Sequence, residues 1–375
     1  MIEKYLKIFK RLDYLMLITL FLLLAISILV IESATLHLQN DLAFKQATWI
    51  GIGIVFLLFF LRYDYQNLQK YTWQIYAFML VGLFLVPIFA PEINGQRSWI
   101  VIPGFGSLQF SEICKILYII TFAKFLEDRK DFLERFRDFI PHFLFLIPIL
   151  FLIMLQPDFG NALVFIPIMA GMLLAAGANK IILFSIFGGG VVFVVGWLLA
   201  HIHLGLWFPI KGYQLNRILV VIDSSYDIRG AGWNQLQSKI AIGNGGLWGK
   251  GFREGTQSMG EFLPEQWTDF IFAVLAEELG FIGGASVIIL LMIIVFRGLK
   301  MAMLSRDFYG SLIAVGVISM YLFHIFENIG MSMGIMPITG IPLPFVSYGG
   351  SAMLTNLMGV ALLQNIFINR EREIF

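Results

Sequence analysis

Charge is scarce in this chain. Asp, Glu, Lys and Arg make up only 14% of its 375 residues, against about 25% in an ordinary soluble domain. Cysteine is nearly absent: Cys114 stands alone, which excludes an intrachain disulfide and leaves the redox compartment unread. Histidine is sparse too. His37, His142, His201, His203 and His324 do not group at ligand spacing, and His201-Ile202-His203 is too little for a zinc site. The net charge of +1 offers no basic field for nucleic acid. No internal repeat or low-complexity tract stands out. Apolar residues fill the space instead, at 58% with 37 phenylalanines and a mean hydropathy of +0.82. That composition describes a multi-pass membrane protein.

Apolar runs long enough to span a bilayer lie near 13–33, 46–62, 72–91, 110–126, 139–156, 160–178, 180–203, 268–296, 308–336 and 349–368. The expected architecture is therefore all-α, a single membrane domain over 1–375 with about ten transmembrane helices. The first run follows Lys4, Lys7, Lys10 and Arg11 and reads as a retained signal anchor, its apolar core being too long for a signal peptide. An even number of spans puts both termini on one side. Most of the 26 Lys and Arg residues fall on that side, so the positive-inside rule makes it cytoplasmic. The opposite side carries one long loop, about 205–267, with Trp207, Trp233, Trp248 and Trp267 among many glycines. Loops of that length in a compact protein are usually functional. "EDRKDFLERFRDF" (127–139) is a charged cytoplasmic linker.

Against this apolar background the ionisable residues inside the spans are conspicuous. In "FLPEQWTDFIFAVLAEELG" (262–280), Asp269 follows Thr268, a good N-cap, with Pro264 breaking the chain before it. An acid at a helix N-terminus is favoured by the dipole, so a capping carboxylate is one reading and a general base at an outward cleft the other. Glu277 and Glu278 lie about 12 Å deeper along a helix. Glu278 falls on the face opposite Asp269 and suits a structural role, while Glu277 stays open. Glu112 and Lys115 in "LQFSEICK" share a helix face, as a plain ion pair or as part of a polar site. Arg97 and Trp99 in "NGQRSWIVIPGFG" (94–106) serve either as an interfacial anchor or as a phosphate contact. "KIAIGNGGLWGKG" (239–251) fails the Walker pattern, although its glycines with Lys239 and Lys250 suit a pyrophosphate cradle. The Gly- and Pro-interrupted stretch 328–354, after Glu327, reads as a broken helix with a re-entrant turn, tolerated where protein or water satisfies the backbone.

These blocks together resemble the SEDS family (shape, elongation, division and sporulation). "NGQRSWI", "SEICK", "QPDFG", "KIAIGNGGLWGKG", "LPEQWTDFIFAVLAEELG" and "PITGIPLPFVSYGGSA" run in order from Asn94 to Ala352. "TGIPLPFVSYGG" is closer to the rod-shape branch than to the division branch. One departure is Phe110, where the family has proline.

The resemblance implies a peptidoglycan glycosyltransferase that polymerises lipid II at the outer face of the bacterial cytoplasmic membrane during elongation. Asp269 matches the family's catalytic acid, and Glu112 and Lys115 match its cavity carboxylate and lysine. Arg97, Trp99, Lys239, Lys250 and Ser347 complete the substrate-binding candidates. The partner implied is a class B penicillin-binding protein, within the elongation machinery. A polyprenyl pyrophosphate leaving group needs positive charge. A divalent cation such as Mg2+ would serve, though the sequence shows no dedicated cage for it. Two other classes fit the intramembrane charges less well: a lipid II flippase or other transporter, for which no inverted repeat is visible, and a non-catalytic scaffold.

Overall fold

The computed structural model describes residues 10–36, 41–92, 97–102, 106–130, 133–207, 212–223, 227, 230–260 and 262–370. Lys4, Lys7, His37 and Asn94, which entered the sequence reading, lie outside them.

Each expected apolar run is a helix. In chain order they are α1 (Tyr14–Ala34), α2 (Leu42–Phe60), α3 (Thr72–Phe89), α4 (Phe110–Glu127), α5 (Ile140–Met154), α6 (Phe159–Ala175) and α7 (Lys180–Leu204). Three short helices follow, α8 (Gly212–Ile222), α9 (Ala231–Gly245) and α10 (Thr256–Met259). The chain closes with α11 (Ile271–Met303), α12 (Phe308–Met333) and α13 (Gly350–Ile368). Among the described residues eight helices are long and apolar enough to cross a membrane. The two expected segments outside that set are α6, which is short at 17 residues, and α4, which carries Glu112, Lys115, Lys124 and Glu127.

Close crossings hold the bundle. A Cβ at Gly53 would stand 2.2 Å from Leu357 Cδ1, so α2 and α13 approach where the side chain is missing. Gly171 does the same for α6 against Ser319 of α12. Small residues at such contacts let backbones approach, which is where packing energy between membrane helices comes from. Polar ties fix the ends. Asp13 caps α1 by accepting from Met16 N at 2.9 Å, and Arg297 Nε donates to its two oxygens at 3.1 and 2.9 Å, joining α1 to α11. By contrast α7 buries only Leu183 and Leu198 and stands at the periphery.

The stretch after α7 is more ordered than a loop. Helix α9 packs on α11 and α12, and Ser238 Oγ donates to Ser332 O at 2.8 Å. The glycine-rich turn after α9 does not form an open cradle. Lys250 N and Gly251 N donate to Glu277 O and Glu278 O at 3.0 and 3.1 Å. Opposite them, Gly280 (φ +67) breaks the helical path of α11, and a Cβ there would stand 2.3 Å from Gly249 N. The N–H groups of Lys250 and Gly251, two of those a pyrophosphate cradle would use, are therefore spent on this kink.

One further element lies outside the all-helical expectation: an antiparallel hairpin, β1 (Trp99–Ile102) with β2 (Gly106–Gln109), whose register sets Trp99 opposite Gln109. Gln109 then leads directly into α4. Phe110 occupies the first position of that helix, where proline is also well accommodated, so the departure from the family pattern leaves the start of α4 intact.

Candidate active site

Three broken stretches meet above the bundle. Segment 335–349, which is not helical, connects α12 to α13. It is stitched to the turn before α11: Tyr348 N donates to Trp267 O at 2.9 Å, and Ser347 Oγ donates to Thr268 O at 2.7 Å while accepting from Leu343 N at 2.8 Å. Asn328 of α12 completes the seam, its Nδ2 donating to Asp269 O and Ile341 O at 2.8 Å each.

The seam borders a cavity of about 310 Å³. Asp269, Glu265, Glu112 and Asp158 bring four carboxylates to its wall, and Arg217 of α8 brings a guanidinium. Trp99 and Gln109 enter from the hairpin, and Thr339 and Gly340 from the re-entrant stretch.

Asp269 is not a cap. Helix α11 begins at Ile271 after Phe270, with no side-chain cap. The turn from Glu265 is closed instead by Thr268 N, Asp269 N and Phe270 N, all bonded to Glu265 O. The carboxylate faces Gly340, where a Cβ would stand 3.2 Å from Oδ2 and where φ is +74. A side chain there would be strained and would press on the acid. Burial, and then the nearby Glu265, lift the Asp269 carboxyl from 3.8 to about 6, against the opposing pull of Arg217 and Thr268. An acid so placed has the properties of a general base working near neutral pH.

Below it, Lys115 Nζ donates to Glu112 Oε1 at 2.7 Å and lies 3.1 Å from His324 Nε2. Lys115 is fully buried, and Glu112 is 3% exposed. Glu112 thus lines the cavity with the lysine sealed behind it. His324 Nε2 thus closes the inner side of the Lys115–Glu112 pair, and His324 itself is buried. Asp158 caps α6 and accepts from Gln109 Nε2 and Asn161 Nδ2 at 2.6 and 2.8 Å, holding the hairpin, α4 and α6 in register.

The other expected binding residues sit elsewhere. Arg97 is 58% exposed and pairs with Glu92 at 3.2 Å. Lys250 Nζ donates to Thr256 Oγ1 at 2.5 Å and stands 3.6 Å from Glu277 Oε1. Lys239 is exposed and lies over Gly334 at the C-terminal end of α12, where a cation meets the negative end of the helix dipole. Ser347 is 4% exposed, and its hydroxyl is engaged with the main chain on both sides. Glu277 accepts from Thr256 Oγ1 and from the N–H groups of Gln257 and Ser258, and Glu278 from Ser33 Oγ at 2.5 Å. Glu277 thereby holds α10 on α11, and Glu278 holds the end of α1 on it. Among the described residues no group of three or more His, Cys, Asp or Glu could hold a metal ion.

Arg217, Glu265 and Asp158 were not singled out from the sequence. Glu265 and Asp158 lie inside the quoted blocks "LPEQWTD" and "QPDFG", where a carboxylate beside a helix start was a readable signal. Arg217 lies in a stretch without a motif.

Broken helices enclosing a carboxylate-rich cavity of about 310 Å³ above an apolar bundle define a polytopic membrane protein with a reaction or transport site at one face. A family model described as FtsW/RodA/SpoVE cell cycle protein matches residues 9–372, and the chain belongs to that family. It is 34% identical to the peptidoglycan glycosyltransferase RodA of Treponema pallidum, covering 94% of this chain and 97% of that one. It is 36% identical to the stage V sporulation protein E of Bacillus subtilis, covering 94% and 96%, and 34% identical to the peptidoglycan glycosyltransferase MrdB of Escherichia coli K12, covering 96% and 95%. Its fold is similar to a chain from work on structural coordination of polymerization and crosslinking by a peptidoglycan synthase complex, with a TM-score of 0.80, 26% identity, and coverage of 96% and 99%. The rod shape determining protein RodA of Thermus thermophilus shares the fold at a TM-score of 0.70 and 24% identity, covering 96% of this chain and 98% of that one.

Proposed function

We propose that this chain is a peptidoglycan glycosyltransferase that polymerises lipid II, with Asp269 as its general base. The observation that carries the mechanism is the placement of Asp269: it is held by a main-chain seam at a polar cavity, its carboxyl raised to about 6. In the reaction the acceptor sugar's 4-hydroxyl oxygen attacks the anomeric carbon of the donor. The bond from that carbon to the lipid diphosphate breaks, its electron pair leaves with the diphosphate, and the hydroxyl proton passes to Asp269. Above pH 6 the carboxylate is ionised and ready to accept it. Glu112, paired with Lys115 behind it, supplies a fixed acceptor for substrate hydroxyl or amide groups.

The ten-helix reading puts both termini in the cytoplasm and the cavity at the outer face of the bacterial cytoplasmic membrane, where lipid-linked precursor is polymerised. Segment 205–267 then lies outside as part of one membrane domain. A class B penicillin-binding protein, with one membrane helix and an outer domain, is the proposed partner in elongation. The similarity to a chain of a peptidoglycan synthase complex supports it.

Purified protein in detergent, given lipid II, tests the reading. Glycan polymer is expected, and its loss in Asp269→Asn assigns it to this site. Movement of lipid II across vesicles without polymer would replace the enzyme by a flippase, and neither outcome would leave a scaffold.

A further inference from the structure

We infer that Arg217 binds the diphosphate of the polyprenyl-linked donor, at the junction of two adjoining cavities, the smaller of which takes the first isoprene unit. The inference rests on the glycosyltransferase reading and concerns where the leaving group sits.

Electrostatics sets the problem. A diphosphate departing beside Asp269 enters a cavity whose wall carries four carboxylates. Anion beside anion in a poorly hydrated site is strongly unfavourable, so a cation must face the departing oxygens. Arg217 is the one cationic side chain among the described residues that line the cavity. Lys115 is committed to Glu112 and sealed from the space. Arg97 and Lys250 have acidic partners away from it, and Lys239 lies over the end of α12. A guanidinium suits the task, because its planar fork can bond two phosphate oxygens at once.

Shape gives the second, independent line. A smaller cavity of about 50 Å³ adjoins the large one, and Asp158, Arg217 and Thr339 line both. Beyond those three, and Gln214 beside Arg217, its wall is apolar, with Phe159, Ile218, Pro337 and Ile338 prominent. Gln214, Arg217 and Ile218 are spaced i, i+3 and i+4, so one face of α8 supplies all three. The volume has room for a few water-sized groups, enough for one branched five-carbon unit but not for a whole chain. Sugar in the polar chamber, diphosphate at the junction and the start of the lipid in the apolar chamber is the order in which the donor is bonded.

Full-length protein in detergent, at pH 8 so that Asp269 is ionised, is titrated with geranylgeranyl diphosphate, geranylgeranyl monophosphate and inorganic diphosphate. Lipid II polymerisation is measured on the same preparations. Arg217→Gln should lose at least tenfold affinity for both diphosphates and less than threefold for the monophosphate. Ile338→Trp, which fills the small chamber, should weaken geranylgeranyl diphosphate at least fivefold and leave inorganic diphosphate unchanged. If wild type polymerises lipid II and Arg217→Gln keeps its diphosphate affinity, the inference is overturned and the enzyme reading stands. If wild type makes no polymer, the reading beneath it has failed. Should Arg217→Gln not fold, Arg217→Lys carries the test: loss of the bidentate fork should still cost diphosphate affinity several-fold, and unchanged affinity overturns the assignment.

Discussion

Asn328 Nδ2 stands 2.8 Å from the main-chain oxygen of Asp269 and 2.8 Å from that of Ile341. One fully buried amide therefore fixes the spacing between the acid and the Gly340–Pro342 wall opposite it. Replacing it by leucine leaves two carbonyls without a donor, at about 1–3 kcal/mol each. It also frees the Asp269 turn to drift, and a displacement of about 1 Å at a reacting group can cost about 10²-fold in rate. Asn328→Leu should lower kcat by about 10–10²-fold while KM for lipid II stays within about threefold. Steady-state kinetics on folded variant checks this; a rise in KM alone would assign Asn328 to substrate binding instead.

Glu112 and Lys115 should act as a unit. Removing either partner of a buried pair leaves an uncompensated charge, at about 3–5 kcal/mol. Glu112→Gln and Lys115→Met should each destabilise the protein, and the double variant should lose clearly less than the sum. Thermal denaturation of all four proteins in one detergent gives the cycle. Strict additivity would mean that the 2.7 Å contact contributes nothing.

Much of this architecture was readable because membrane helices announce themselves by length and hydropathy. The interrupted stretch after Glu327 was readable too, since Pro337, Pro342 and Pro344 in close succession break a helix. Asp269, Glu112 and Trp99 line one cavity, whereas Arg97, Lys239 and Lys250 stand away from it. Lys239 and Lys250 attracted attention through a glycine-rich sequence whose N–H groups prove to serve the kink at Gly280. Local sequence does not show which donors are already spent. Arg217 escaped notice for the converse reason: its place in the cavity wall arises from where α8 packs, and nothing in "GYQLNRILVVI" carries that information.

Acid should silence the enzyme near pH 6. A base must be ionised, and the Asp269 carboxyl sits at about 6, raised first by burial and then by Glu265. The rate should therefore be full above pH 7 and fall as pH drops through 6. Glu265→Gln removes a neighbouring negative charge and so lowers the Asp269 pKa, moving the acid limb to lower pH. Because burial is the larger cause, the limb should remain above the ordinary carboxylate range. A pH–rate profile of polymerisation for the two proteins decides it; a limb that does not move would take Glu265 out of the electrostatics of the site.

Asp269→Asn separates chemistry from structure. Asparagine keeps the size of the side chain, and the main-chain bonds that hold the turn, from Thr268 N, Asp269 N and Phe270 N to Glu265 O, do not involve it. Folding should survive. The sign of the pKa shift says more: a carboxyl raised from 3.8 to about 6 is protonated more readily in the folded chain than in the unfolded one, so its ionisation costs stability above pH 6. The neutral variant should thus be at least as stable as wild type at pH 8, with the difference fading as pH falls from 6 to 4 and gone below that. Activity should move the other way. Asparagine cannot take up the acceptor proton, and losing a general base costs about 10²–10⁴-fold. Glycan polymer from lipid II, measured at pH 8 with matched amounts of folded protein, gives the answer beside a denaturation curve. Near-normal polymerisation by a stable variant would remove Asp269 from the mechanism.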